Sequence, residues 1–251
     1  KNNILFSVEI NKGNIDEGFK EAKFISVNTY KTQMTEHAFM QPESTIANYN
    51  AINNTLDLYI ATQYPHYDRE EVARCLNMKE ENINVINMTI GGAFGAREDI
   101  NPQCHAAIAS YITKRPVKII YSREESTISH SKRHLMKMYY KTAVKSNGRL
   151  CALKARIYAD TGAYASWGIN VIRKAAVHAT GPYEIPNVDI KAYAVYTNNP
   201  FCGAMRGFGA AQVPIAYESQ MDILAEKLNI NPLVFRNINT FQCGSKTATG
   251  Q

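Results

Sequence analysis

One order of elements, strand, strand, helix, strand, helix, is legible twice along the chain, and each time the third strand runs into a glycine-rich turn. In the first copy a strand is expected around residues 41–49. Residues 56–63 (Leu-Asp-Leu-Tyr-Ile-Ala-Thr-Gln) alternate with the two-residue period of a half-buried strand. Tyr64-Pro65 stops it. Asp68-Arg69-Glu70-Glu71 reads as an aspartate N-cap with glutamate at the third helical position, a pairing that satisfies free N–H groups and predicts a helix to Leu76. Residues 84–90 form the third strand, ending in Gly91-Gly92-Ala93-Phe94-Gly95, and Asn101-Pro102 caps and opens a helix to about Ile112.

In the second copy Met136, Met138, Tyr140, Thr142 and Val144 face away from Lys137, Tyr139, Lys141 and Lys145. The strand reaches Asn147-Gly148, a dipeptide that favours a type I′ hairpin turn because both central residues need positive φ. Residues 150–158 return, a helix is expected at 168–179 and a strand at 189–197. A long helix at 211–228 carries Val213, Tyr217, Met221, Leu224 and Leu228 on one stripe.

This repetition predicts an α+β protein of two similar lobes, each a small, mostly antiparallel sheet covered by helices as a ββαβα repeat. The lobes are expected at residues 1–113 and 114–251, with residues 114–125 as the connection.

Composition narrows the function classes. Of 251 residues 45% are hydrophobic and 20% charged, with 28 Lys and Arg against 22 Asp and Glu, a formal net charge of +6. That balance excludes a disordered tail, a collagen and a coiled coil. There is no run of 18 apolar residues and no secretory signal pattern at the N-terminus, so no membrane partner is expected and the expected location is cytoplasmic. The chain starts without Met and stops at Gln251 in a polar stretch, which reads as a piece of a longer polypeptide. Its 23 asparagines, with many Ile and Lys, point to a low-GC bacterial genome.

Five cysteines at widely spaced positions predict neither a disulfide framework nor a thiolate-held metal. Cys75, Cys104, Cys151 and Cys243 read as buried or half-buried small hydrophobes, while Cys202 is set apart by its neighbours. Basic residues are dispersed, with Lys114-Arg115 and Lys132-Arg133 the notable doublets. Aromatic residues do not interleave with a basic stripe, so nucleic acid is not an expected partner.

The chemistry is expected at the two turns, Gly91-Gly92-Ala93-Phe94-Gly95 and Cys202-Gly203-Ala204-Met205-Arg206-Gly207-Phe208-Gly209. Glycines between a strand and a helix let backbone approach a ligand and aim N–H groups at anionic atoms. Neither turn is a dinucleotide fingerprint or a P-loop. Taken alone, each reads as a tight turn with a core phenylalanine; their equivalent placement in both copies favours one shared ligand.

The segments 91–98 and 204–212 resemble the hallmark stretches of the molybdenum hydroxylases, the family of xanthine dehydrogenase and aldehyde oxidoreductase. Glu36-His37-Ala38-Phe39, Ser122-Arg123-Glu124-Glu125, Asp160-Thr161-Gly162-Ala163-Tyr164 and residues 181–187 support the resemblance, in the family's order. It covers the first half of the molybdopterin-binding region.

The resemblance implies a molybdopterin cofactor, in its simple or its dinucleotide form, carrying molybdenum. It makes Gln63 the amide that hydrogen-bonds an oxygen ligand of the metal, Phe94 and Gly95 the pair whose backbone N–H groups face the metal's ligands, and Arg206 the arginine whose backbone lies beside the cofactor. Glu98 falls where purine-oxidising members carry a glutamate that binds the heterocycle, and aldehyde-oxidising members usually have an apolar residue. Phe208 matches the aromatic that packs on a flat substrate ring. Lys174 takes the place of a substrate-contacting arginine, keeping the charge and losing the planar fork. The implied reaction is hydroxylation of an electron-poor carbon, in an N-heteroaromatic such as a purine or pyridine carboxylate, with water-derived oxygen. The base glutamate lies outside this chain. Electrons leave through 2Fe–2S clusters, often to FAD, on other domains or subunits, so the remaining half of the region and iron–sulfur and flavin partners are expected. The alternatives are an aldehyde- or carbon monoxide-oxidising relative, or a non-catalytic module of the same fold.

Overall fold

The computed structural model describes residues 2–251. Its elements are β1 (Ile4–Lys12), α1 (Ile15–Lys20), β2 (Phe24–Lys31), β3 (Ser44–Asn50), β4 (Thr55–Ile60), α2 (Pro65–Leu76), β5 (Ile83–Asn87), α3 (Pro102–Thr113), β6 (Val117–Ile120), α4 (Arg123–Ser129), β7 (Met136–Val144), β8 (Leu150–Gly162), α5 (Gly168–Val177), β9 (Asn187–Tyr196), α6 (Pro214–Leu228) and α7 (Pro232–Asn239).

They form two compact units. One is four-stranded and holds Glu36–Arg133 with Gly203–Met205; the other is five-stranded and holds the residues up to Thr35, His134–Cys202 and Arg206–Gln251.

The four-stranded sheet runs β5-β4-β3-β6. Strands β3 and β4 pair antiparallel, β4 and β5 parallel. Leu56, Leu58 and Ile60 alternate inward, as do Ala47 and Tyr49, and α2 and α3 bury Val72, Ala73, Ala106 and Ala107 against that face. The other face of the sheet exposes Ile46, so the alternation in β3 and β4 is that of a sheet covered on one side.

The five-stranded sheet runs β1-β9-β8-β7-β2. Its central part repeats the same scheme: β7 and β8 antiparallel, β8 and β9 parallel. Met136, Met138, Tyr140, Leu153, Ile157 and Ile190 are fully buried with Val171, Ile172, Met221 and Leu224 from α5 and α6. On the α6 stripe Val213, Met221 and Leu224 are buried, while Tyr217 and Leu228 pack at its edge.

The ββαβα order is therefore present twice, as β3-β4-α2-β5-α3 and β7-β8-α5-β9-α6. The expected division at residues 113 and 114 is not a boundary of either unit. Backbone pairing is the reason: β6, inside the supposed connection, adds to the first sheet beside β3, whereas β1 and β2 pair with β9 and β7.

Four local expectations are corrected. Helix α2 starts at Pro65 rather than after Asp68, because proline is accepted in the first helical turn; Asp68 lies inside the helix, buried, and its Oδ1 accepts from Gln103 Nε2 at 3.2 Å. Asn101 precedes α3 without a side-chain cap bond, its own N–H donating to Gln103 Oε1 at 2.7 Å. In the turn after β7 only Gly148 has positive φ (82°), and Asn147 uses its side chain to accept from Arg149 N–H at 3.1 Å, an Asx turn instead of type I′. Cys75 and Cys243 are exposed, not buried; Cys104 is half-buried, and Cys151 and Cys202 are buried. Among the described residues no helix is long and apolar enough to cross a membrane.

Candidate functional site

In the four-stranded unit, Gln63 follows the end of β4 and the glycine turn follows β5, the two parallel neighbours, so both arrive at the same edge of the sheet. Gly95 N–H donates to Gln63 Oε1 at 3.2 Å, and Gln63 Nε2 donates to Glu98 Oε1 at 3.4 Å. Gln63 N–H donates to Arg97 O at 3.0 Å, which fixes the backbone of the glutamine to the turn. Glu98 is half-buried, and burial first, then the neighbouring Asp99 charge, raises its carboxyl pKa.

Phe94 adopts φ +55° and Gly95 φ +99°. Left-handed backbone at a phenylalanine costs about 1 kcal/mol or more and persists only where the surroundings impose it. Here they do: a Cβ on Gly95 would stand 2.8 Å from Ala204 O and 3.1 Å from Met205 N. The first turn thus packs directly on residues 203–205, the part of the second glycine run that belongs to this unit. The Phe94 ring is left about half exposed (49%), so it is no core residue.

The same backbone recurs in the five-stranded unit. Phe208 has φ +51° and Gly209 φ +98°, within a few degrees of Phe94 and Gly95. A Cβ on Gly209 would run into Val171 O and come within 2.9 Å of Ala175 N, so this turn packs on α5. Phe208 lies against the core beside Trp167, ring centroids 6.1 Å apart. Arg206 is exposed, and Lys174 is exposed on α5 with its carbonyl accepting from His178.

Of the residues singled out in the sequence, Gln63, Phe94, Gly95 and Glu98 are brought together in one unit, and Arg206, Phe208 and α5 with Lys174 in the other. A cavity of about 340 Å³ on the four-stranded sheet, lined by Gln41, Ile46, Tyr59, Ala61, Met88 and Lys118 among others, contains none of them. Sequence reasoning missed the residues that hold the turns. Arg97, Gln41 and His37 are buried or half-buried behind them; only Arg97 stands beside a glycine-rich segment in the sequence, and no local signal marks Gln41 or His37 or shows what Arg97 holds. The capping box of α4, Ser122 Oγ with Glu125 N–H (3.1 Å) and Glu125 Oε2 with Ser122 N–H (2.8 Å), was legible as Ser-x-x-Glu.

The donor set fits a molybdopterin-type group. In the four-stranded unit a Phe-Gly turn in left-handed backbone stands at the surface with the Gln63 side-chain amide beside it, a combination suited to anionic oxygen and sulfur ligands.

The fold and the paired turns define a cofactor-binding α+β domain. The family profile of a molybdopterin cofactor-binding domain matches residues 1–240, and the chain belongs to that family, a molybdopterin-binding domain of the molybdenum hydroxylases. It is 45% identical over 239 residues to the nicotinate dehydrogenase large molybdopterin subunit of Eubacterium barkeri, covering 95% of this chain and 56% of that protein. It is 37% identical over 237 residues to a probable xanthine dehydrogenase subunit of Bacillus subtilis (strain 168), covering 94% and 32%. The aldehyde oxidoreductase structure from Desulfovibrio gigas superimposes with a TM-score of 0.94 at 27% identity, over 99% of this chain and 28% of that one. The chain thus spans about half, or less, of the length of these relatives.

Proposed function

We propose that this chain supplies one wall of the molybdenum site in a larger dehydrogenase and that the complete enzyme hydroxylates an N-heteroaromatic ring, a purine or a pyridine carboxylate. The observation that carries this reading is the placement of Glu98. Its carboxylate shares the Gln63 amide with the Gly95 turn, and its raised pKa suits a group that exchanges a hydrogen bond with a ring nitrogen. The similarity to a nicotinate dehydrogenase subunit supports a heteroaromatic substrate.

When bound, the molybdenum cofactor supplies the two-electron oxidation of the substrate carbon. The chain's own residues bind and orient. Gln63 would offer its amide N–H to an oxygen ligand; the Phe94 N–H would face the same ligands beside Gly95, whose own N–H is donated to Gln63 Oε1; Arg206 would place its backbone along the cofactor. Glu98 holds or returns a proton at the heterocycle, Phe208 packs on the flat ring, and Lys174 offers positive charge to an anionic substituent. The base glutamate, the remaining half of the binding region, and iron–sulfur and flavin partners come from other domains or subunits. The isolated chain is accordingly expected neither to turn over substrate nor to retain cofactor, and stoichiometric molybdenum in it would overturn that.

The test is dye reduction by the assembled complex with hypoxanthine, xanthine, nicotinate and an aldehyde. Turnover of a heteroaromatic supports the reading. The likeness to an aldehyde oxidoreductase favours the rival, and turnover of the aldehyde alone would remove the role given to Glu98.

A further inference from the structure

Behind the first glycine turn lies a buried arginine whose donors go to carbonyls. Arg97, 5% exposed, donates from Nε to Gly92 O (3.0 Å), from Nη2 to Gln41 O (2.6 Å) and from Nη1 to Ala61 O (3.4 Å). Those carbonyls belong to three segments: the turn, the stretch entering β3, and the end of β4 two residues before Gln63. A guanidinium is costly to bury, and its planar fork of five N–H groups reaches three diverging acceptors in a fixed geometry that a lysine ammonium does not reproduce.

The second glycine run is held in the same way by a different group. His37, 7% exposed, places Nε2 2.7 Å from Ala204 O; a carbonyl only accepts, so this nitrogen carries the proton. Burial lowers the pKa of His37, which keeps the ring neutral at physiological pH.

The two anchors are joined through one aromatic ring. The Arg97 guanidinium stands 4.6 Å from the centroid of Phe39, and the His37 and His130 rings lie 6.5 and 5.5 Å from it. Arg123 closes the far side by donating to Phe39 O and Met40 O at 2.5 and 2.9 Å. His130, buried, meets the equally buried Glu43 at 3.0 Å.

We propose that this cluster of His37, Phe39, Glu43, Arg97, Arg123 and His130 is a positioning device that registers the two glycine turns against each other, holding the Gly95 N–H and the Ala204–Met205 backbone in one fixed arrangement. Arg97 anchors the first turn, His37 the second, and Phe39 couples them. The functional consequence rests on the reading that these turns face the cofactor; the physical claim does not.

The experiment is hydrogen–deuterium exchange on the full parent protein with its partner subunits. Arg97→Lys keeps the charge and loses the fork. It is expected to raise exchange at least tenfold in a peptide spanning residues 88–98 and also in one spanning 202–206, with β4 and α3 within twofold of the parent. His37→Phe is expected to do the same, whereas His37→Gln, which restores an N–H for Ala204 O, returns both peptides to near the parent rate. Should Arg97→Lys not fold, Phe39→Leu, which cuts the coupling ring, takes its place with the same expectation. Unchanged exchange, a uniform rise over the whole unit, or loosening confined to the turn nearest the mutated residue overturns the proposal. In the active complex Arg97→Lys is expected to lower kcat about tenfold with KM within twofold. Exchange is read without substrate, so a parent enzyme inactive on heteroaromatics would refute the proposed function and leave this inference standing.

Discussion

Gln63 Nε2 donates to Glu98 Oε1 across 3.4 Å, while the other end of the same amide accepts from Gly95 N–H. One side chain therefore sets both the carboxylate and the backbone donor of the turn. Replacing it removes two constraints at once. Gln63→Met is expected to lower kcat of the assembled enzyme about a hundredfold, the scale of losing one preorganised donor. Loss of a donor to the ionised carboxylate raises its pKa further, so the pH–rate profile should also move to higher pH. A profile unchanged in shape would separate Glu98 from Gln63.

Glu98→Gln keeps the shape of the side chain and removes its charge. Heteroaromatic turnover is expected to fall about 10- to 100-fold, the scale of one charge-assisted hydrogen bond, with aldehyde turnover changed much less. Equal losses on both substrates would contradict a contact with the heterocycle.

Gly95→Ala places a methyl 2.8 Å from Ala204 O at a backbone φ of +99°. Neither strain nor clash can relax without separating the turn from residues 203–205. A loss of about 1–3 kcal/mol is expected in denaturant unfolding, together with weaker cofactor retention.

Phe94→Asn separates stability from function. Asparagine tolerates the left-handed backbone that phenylalanine holds under strain, and the ring is about half exposed, so little packing is lost. The unfolding midpoint should stay level or rise. A fall of more than about 1 kcal/mol would mean the ring is part of the core after all.

Asp68 carries the pH dependence that is easiest to isolate. Burial pushes its carboxyl from 3.8 up to about 6, against the pull of hydrogen bonds from Thr62 and Gln103. The folded state therefore binds a proton that the unfolded state has already lost, and stability falls as pH rises from about 4 to 6. His130, pushed down to about 3 chiefly by burial, contributes the opposite slope as pH falls below 6.5. Comparing Asp68→Asn with the parent cancels the histidine. The variant should match the parent near pH 4 and exceed it by at most about 3 kcal/mol above pH 6. A difference independent of pH would count against the shift.

The strands and helices of both repeats and the glycine-rich turns followed from periodicity and motif, because each is written in adjacent residues; Gln63 and Glu98, 35 residues apart, were singled out only through the resemblance to a family, and their hydrogen bond was not foreseen. What escaped was written at a distance. Nothing local in residues 4–12 or 24–31 says that they pair with β9 and β7, and the four residues of β6 are too few to show a period. Asp68 misled for the opposite reason: its local capping pattern was sound, and Pro65 had already begun the helix. Arg97 was invisible as an anchor because its three acceptors are carbonyls, which every residue has.

The interleaving of the chain between units has a consequence for how it is made. Ser7 must find Tyr193, and Asn28 must find Tyr140, after Glu36–Arg133, with all four strands of the other sheet, has been synthesised between them. On a ribosome the inserted unit has β3 to β6 complete before the partners of β1 and β2 exist. Two hydrophobic edge strands therefore wait, unpaired, while it folds, and such long loop closures are slow. Refolding should show two phases, with the later one, and the tendency to aggregate, belonging to the sheet that was begun first and finished last.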